Sequence, residues 1–92
     1  MPYKILYHPK VKEEDLPSID YGTRKRIFTA IELRLKTAPE QYGKPLRKTL
    51  SGYWKLRVGD YRVVYKIVKY KVWVLAILHR EKVYEFIAKR SL

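Results

Sequence analysis

The amino-acid sequence predicts an α+β fold, with two N-terminal helices packed on an antiparallel β-sheet in the order β-α-α-β-β-β-α. Three observations predict it. Ile27, Phe28, Ile31 and Leu35 fall at i, i+1, i+4 and i+8, one face of a helix. From Tyr53 the apolar period changes to two, the mark of half-buried strands. The run from Val72 to His79 is almost wholly apolar, as in a central strand covered on both faces.

The elements follow in order. Tyr3 to His8 is short and apolar-rich, and reads as a strand. Pro9 opens a helical segment from Lys10 to Leu16, which Pro17 ends. Asp20 is a good N-cap for a longer helix through Ala38, and Pro39 stops it. A loop with Gly43 and Pro45 follows. Trp54, Leu56 and Val58 then alternate with Tyr53, Lys55 and Arg57. Gly59-Asp60 is a tight hairpin turn into a strand from Tyr61 to Val68. Lys69-Tyr70 makes a second turn into the Val72–His79 strand. Arg80 to Leu92 reads as a terminal helix with Val83, Phe86 and Ile87 inward. Residues 1–92 hold no repeat and no linker, so a single domain is expected.

Composition narrows the function. Lys and Arg number 21 against 9 Asp and Glu, a net charge of +12. With 9 tyrosines among the aromatics this is a folded basic domain rather than a disordered basic tail. Its field attracts polyanions: nucleic acid first, an acidic protein second, an anionic membrane third. Cysteine is absent, which excludes disulfides and thiolate chemistry. The N-terminus lacks the apolar run of a signal peptide, and Val72–Leu78 is too short to span a bilayer. A cytoplasmic protein with no membrane partner is expected.

The hairpin fixes a register. A two-residue Gly59-Asp60 loop pairs Val58 with Tyr61, Arg57 with Arg62, Leu56 with Val63 and Lys55 with Val64. Trp54, Leu56, Val58, Tyr61, Val63 and Tyr65 then form a core face, and Tyr53, Lys55, Arg57, Arg62 and Lys66 lie opposite. Like charges directly across a sheet are destabilising. Two guanidiniums at that separation can grip one phosphate through charge-assisted hydrogen bonds. A second group, His79 to Tyr84, closes the third strand: His79 can titrate near neutrality, Arg80 is a fixed cation, and Tyr84 can stack on an unpaired base.

Other chemistries find no support. Ser18, Ser51 and Ser91 have no Ser-His-Asp context, and His8 and His79 are too few for a metal site. There is no P-loop and no GxGxxG, so neither metal nor cofactor is expected. Lys, Arg, His and Tyr suit cleavage of RNA through its own 2′-hydroxyl, where protein groups orient, neutralise charge and move protons.

The stretch Lys44-Pro45-Leu46-Arg47-Lys48-Thr49-Leu50-Ser51-Gly52-Tyr53-Trp54-Lys55-Leu56-Arg57-Val58-Gly59-Asp60-Tyr61-Arg62-Val63-Val64-Tyr65 resembles the core of RelE/ParE-superfamily toxins. His79-Arg80-Glu81-Lys82-Val83-Tyr84 resembles their closing motif, and the order of elements fits from residue 3 onward. The resemblance implies a RelE-like microbial RNase fold and the toxin of a type II toxin–antitoxin pair. It implies an acidic antitoxin as partner, a toxin–antitoxin hetero-oligomer, and, in the RelE branch, cleavage of mRNA in the ribosomal A site. Carried over by position, Lys55 is the catalytic lysine and general base, Arg62 stabilises the scissile phosphate, and Arg80 assists the leaving 5′-oxygen. Tyr84 stacks on the mRNA base, Arg47 and Arg57 hold RNA, and His79 has a supporting or acid/base role. RelE itself has two lysines spaced two apart on that strand, and here Tyr53 stands at the first. The alternatives are a ParE-type inhibitor of DNA gyrase and a non-catalytic nucleic-acid-binding module.

Overall fold

The computed structural model describes residues 2–46, 52–87 and 89–90. Five strands form one sheet: β1 (Lys4–Tyr7), β2 (Lys44–Pro45), β3 (Tyr53–Val58), β4 (Tyr61–Val68) and β5 (Lys71–His79). Their spatial order is β1-β5-β4-β3-β2. The sheet is mixed, which corrects the all-antiparallel expectation: β1 runs parallel to β5, Lys4 opposite Lys71 through Tyr7 opposite Val74. Parallel neighbours need a crossover between them, and the helical residues after β1 supply part of it.

Those residues form a wide turn, Val11–Asp15, running into a tight turn, Leu16–Ser18. Pro17 sits inside that tight turn rather than ending the segment, since an early proline gives up only an amide that needs no partner. Helix α1 (Tyr21–Ala30) follows, extended by a wide turn over Ile31–Leu35. Asp20 caps it as expected: its carboxylate accepts from the Thr23 amide at 3.0 Å and the Thr23 hydroxyl at 2.6 Å. Pro39 ends nothing; it opens the short helix α2 (Pro39–Tyr42), which leads to the two-residue strand β2 where a loop was expected.

The β3–β4 register is the one the turn dictates, with Arg57 opposite Arg62 and Lys55 opposite Val64. Gly59 takes a φ of 59° in that turn, a left-handed conformation that glycine adopts without a Cβ clash. Gly43 matters for space instead. The Tyr65 hydroxyl donates to the Pro39 carbonyl at 2.6 Å, and a Cβ on Gly43 would collide with that hydroxyl.

The register of β4 with β5 shifts between Val64 and Tyr65, which lie opposite Ala76 and Val74. Leu75 is the extra residue. This bulge splits the apolar run between two cores. Val72, Val74 and Ile77 join Ile27, Ile31, Leu35, Leu56, Val63 and Tyr65 under α1. Leu75, Ala76 and Leu78 join Leu46, Val64 and Val83 on the opposite face. Strict alternation would have put Ile77 with Leu75. Arg80–Lys82 make a tight turn into helix α3 (Val83–Ile87), of which Val83 is buried. The inward side chains expected of Phe86 and Ile87 lie outside the described residues.

β1 gives its last ladder bond to β5 at Val74, whose carbonyl accepts from the His8 amide at 2.8 Å. Beyond it, side chains take over the edge of β5. The Asp15 carboxylate accepts from the Ile77 amide at 3.0 Å, and Arg90 donates to Asp15 at 2.8 Å and to the Leu75 carbonyl at 3.3 Å. Both side chains of this ion pair are buried. Truncating one partner of such a pair leaves an uncompensated buried charge. Asp15→Ala also leaves the Ile77 amide unpartnered, and is expected to destabilise the fold by about 3–5 kcal/mol in urea denaturation.

Burial holds the Tyr65 phenol above its ordinary range, and burial together with the nearby Glu32 carboxylate pushes Tyr7 up to about 12. Unfolded tyrosine ionises near pH 10. The stability these phenols contribute is therefore complete below about pH 10 and is lost as pH rises from there through the folded-state values. Denaturation followed against pH should show a shallower alkaline loss in Tyr65→Phe than in the native chain.

Candidate functional site

The basic face of the β3–β4 hairpin meets the end of β5 at one cleft. The Arg80 amide donates to the Asp60 carbonyl at 2.8 Å, which pins the turn after β5 to the hairpin tip. Arg62 Nη1 donates to the carbonyls of Gly59 at 3.0 Å and Tyr61 at 2.9 Å, so the hairpin's own backbone aims this guanidinium. Val83 anchors α3 on the second core and so sets Tyr84 above Lys55, whose Nζ lies 6.0 Å from the ring centroid. Lys55, Arg62, Arg80, Glu81, Val83 and Tyr84 line the resulting cleft, about 380 Å³ in volume.

Three cations share this hollow, and Arg57 flanks it across the ladder from Arg62. The described ion pairs join Lys10 to Glu14, Lys36 to Glu32, and Arg90 to Glu14 and Asp15, and His79 Nδ1 lies 3.9 Å from the Glu81 carboxylate. Among the described residues, none of Lys55, Arg57, Arg62 and Arg80 has a carboxylate at salt-bridge distance. Desolvation first, then the charges of Arg57 and Arg80, hold the Arg62 guanidinium below its usual value, against a smaller opposing pull from Asp60. Concentrated positive charge with fixed donors is what an anionic group meets here. Tyr84 is 49% exposed, leaving ring surface open for stacking.

The structure thus brings Lys55, Arg62, Arg80 and Tyr84 together. It places Arg57 beside the cleft, also lining a separate groove between α1 and the hairpin. His79 points elsewhere. Its Nδ1 accepts from the Glu81 amide at 3.3 Å, its ring meets Tyr61 edge-on at 5.7 Å, and it lines a different pocket with Asp15 and Ser18. Arg47 lies outside the described residues. Glu81 was not foreseen in the cleft. Its place in the same turn as Arg80 is the signal that could have found it.

Comparison with known proteins decides the family. The model of the ParE toxin of type II toxin–antitoxin systems, parDE, matches residues 5–84. The chain belongs to this family. As a toxin of the RelE/ParE superfamily it is similar in structure to the toxin–antitoxin complex RelBE2 from Mycobacterium tuberculosis, with a TM-score of 0.80 and 28% identity over 87% of this chain and 93% of that one. A free, doubly substituted RelE toxin from E. coli gives a TM-score of 0.74 at 18% identity, covering 97% of each chain. The RelB–RelE complex from Methanococcus jannaschii gives 0.68 at 23% identity, over 88% of this chain and 96% of that one. Among curated proteins none matches the sequence significantly. Arg57 and Arg62 stand directly opposite each other on the β3–β4 ladder, where like charges repel. Arg57→Gln is expected to raise the stability of the free toxin by about 0.2–1 kcal/mol. The gain should shrink as salt is added, which urea titrations at low and high ionic strength will measure.

Proposed function

We propose that this toxin is a ribosome-dependent mRNA endoribonuclease, cutting mRNA in the A site and held inactive by an acidic antitoxin. The observation that carries this reading is the meeting of Lys55, Arg62, Arg80 and Tyr84 in one cleft. The reaction is attack of the 2′-hydroxyl oxygen on the adjacent phosphorus. The bond from phosphorus to the 5′-oxygen breaks, leaving a 2′,3′-cyclic phosphate and a 5′-hydroxyl. Lys55, in its unprotonated amine form, the one state in which a lysine is a base, takes the 2′-hydroxyl proton. Arg62, aimed by the hairpin carbonyls, holds the non-bridging oxygens where negative charge grows. Arg80 stabilises the departing 5′-oxygen, which takes its proton from solvent water to become the 5′-hydroxyl. Tyr84 stacks on the base beside the scissile bond and so holds the attacking and leaving oxygens in line. Arg57 adds backbone contacts on the β3 side, and His79 serves by capping the turn that carries Arg80.

The solved relatives in complex with antitoxins support a protein partner for this chain. An acidic segment laid over the same cations would occupy the cleft and exclude RNA. The test is cleavage of mRNA on programmed ribosomes. Arg62→Ala and Arg80→Ala should each slow A-site cleavage by about 10²–10³-fold, as loss of a charge-stabilising donor does. Intact mRNA together with blocked DNA supercoiling by gyrase would instead establish the ParE-type activity.

A further inference from the structure

A run of aromatic and cationic side chains leads away from the cleft at Lys55. Along β3, Tyr53 follows Lys55 on the same face, and the ladder sets Lys66 of β4 directly opposite Tyr53. Lys66 Nζ lies 5.7 Å from the Tyr53 ring centroid, a cation held over an aromatic face. On its other side Lys66 is opposite Trp73 of β5. Trp73 and Lys66 line a hollow of about 410 Å³ with Pro9 and Val68. Tyr53, Lys66 and Trp73 are each half-buried, rigid enough to present a face and open enough to be reached.

Aromatic and cationic side chains therefore alternate across three strands, Tyr84, Lys55, Tyr53, Lys66, Trp73, starting at the cleft. From Arg62 to Lys66 the strip runs four residues along β4, roughly 13 Å at the rise of an antiparallel strand. Tyr53 also packs against the second core of Leu46, Val64, Leu75, Ala76, Leu78 and Val83, so packing places that ring, but the cluster includes neither lysine nor Trp73. Alternating stacking platforms and ammonium groups match the repeat of a single strand, a base and then a phosphate. Acidic peptide would use the lysines and leave the aromatic faces without a matching planar partner.

We propose that this strip is a second RNA subsite, binding single-stranded nucleotides that flank the scissile position, with a base stacked on Trp73 and a phosphate held by Lys66. The inference rests on the RNA reading of the cleft. It extends the footprint beyond the bond being cut and needs no ribosomal contact.

The test uses the full chain and two uncleavable 2′-O-methyl RNAs, a dinucleotide and a hexanucleotide, with affinity and tryptophan fluorescence as readouts. The hexanucleotide should bind about tenfold or more tightly than the dinucleotide, the size expected of one added base–aromatic stack, and should quench Trp73. Trp73→Ala and Lys66→Ala should each erase that advantage of length, and Trp73→Phe should restore it. Lys66→Ala should also lower the salt slope of hexanucleotide binding by about one phosphate contact. An advantage of length that survives both alanine variants overturns the subsite while the cleft reading stands. Weaker capture of the acidic antitoxin by Trp73→Ala, with that advantage intact, assigns the strip to the protein partner and likewise overturns it. Should neither RNA bind the native chain, the subsite is overturned, because it needs no ribosomal contact, while the ribosome-dependent cleft reading is decided by the cleavage assay on programmed ribosomes.

Discussion

The edge of β5 beyond Val74 is the constraint on which the rest of the structure depends. β1 stops there, yet β5 runs on to His79 through the middle of the protein. Its buried amides and carbonyls must find partners, because an unpaired backbone group out of water is costly. A carboxylate and a guanidinium from opposite parts of the chain supply them. With that edge satisfied, the bulge at Leu75 can persist, and one apolar strand can feed two cores. The second core seats Val83, and Val83 carries Tyr84 to the cleft.

The cleft itself is held against its own electrostatics. Arg57, Arg62 and Arg80 repel one another, and left free they would swing into solvent. Hydrogen bonds to Gly59 and Tyr61 keep Arg62 in place, and the Asp60 carbonyl holds the backbone of Arg80. The reorganisation a flexible surface would need on meeting a phosphate is thus largely done in the folded state. The stability to hold cations so close comes from the packed strands beneath them, where Leu56 and Val63 are almost fully buried.

Local features of the sequence carried the hairpin and its site. Gly59-Asp60 permits one loop length, and strict alternation on either side then leaves one register that buries the apolar face. Lys55, Arg62 and the Arg80–Tyr84 turn follow from it. The missed features are those without a local signature. β1 is four residues long, and nothing near it in sequence tells whether its partner runs parallel. In a run as uniformly apolar as Val72 to Leu78, every register buries the same kind of surface, so alternation could not reveal the bulge. Asp15 reads as one acid among three in Glu13-Glu14-Asp15, and only the fold shows which one is turned inward. His79 stands next to Arg80 in sequence but projects to the other face, as neighbours at the end of a strand do.

Asp15 and Arg90 are 75 positions apart. A polypeptide is made from its N-terminus at roughly 5–20 residues per second, so Asp15 waits roughly 4–15 s for its counter-charge. Over most of that interval β5 is itself still to be made. Arg80 and Tyr84 are themselves among the residues added late. Synthesis thus sets a clock on this toxin: Arg62 is made 22 residues before Tyr84, so the hairpin cations precede by roughly 1–4 s the wall that turns them into a hollow.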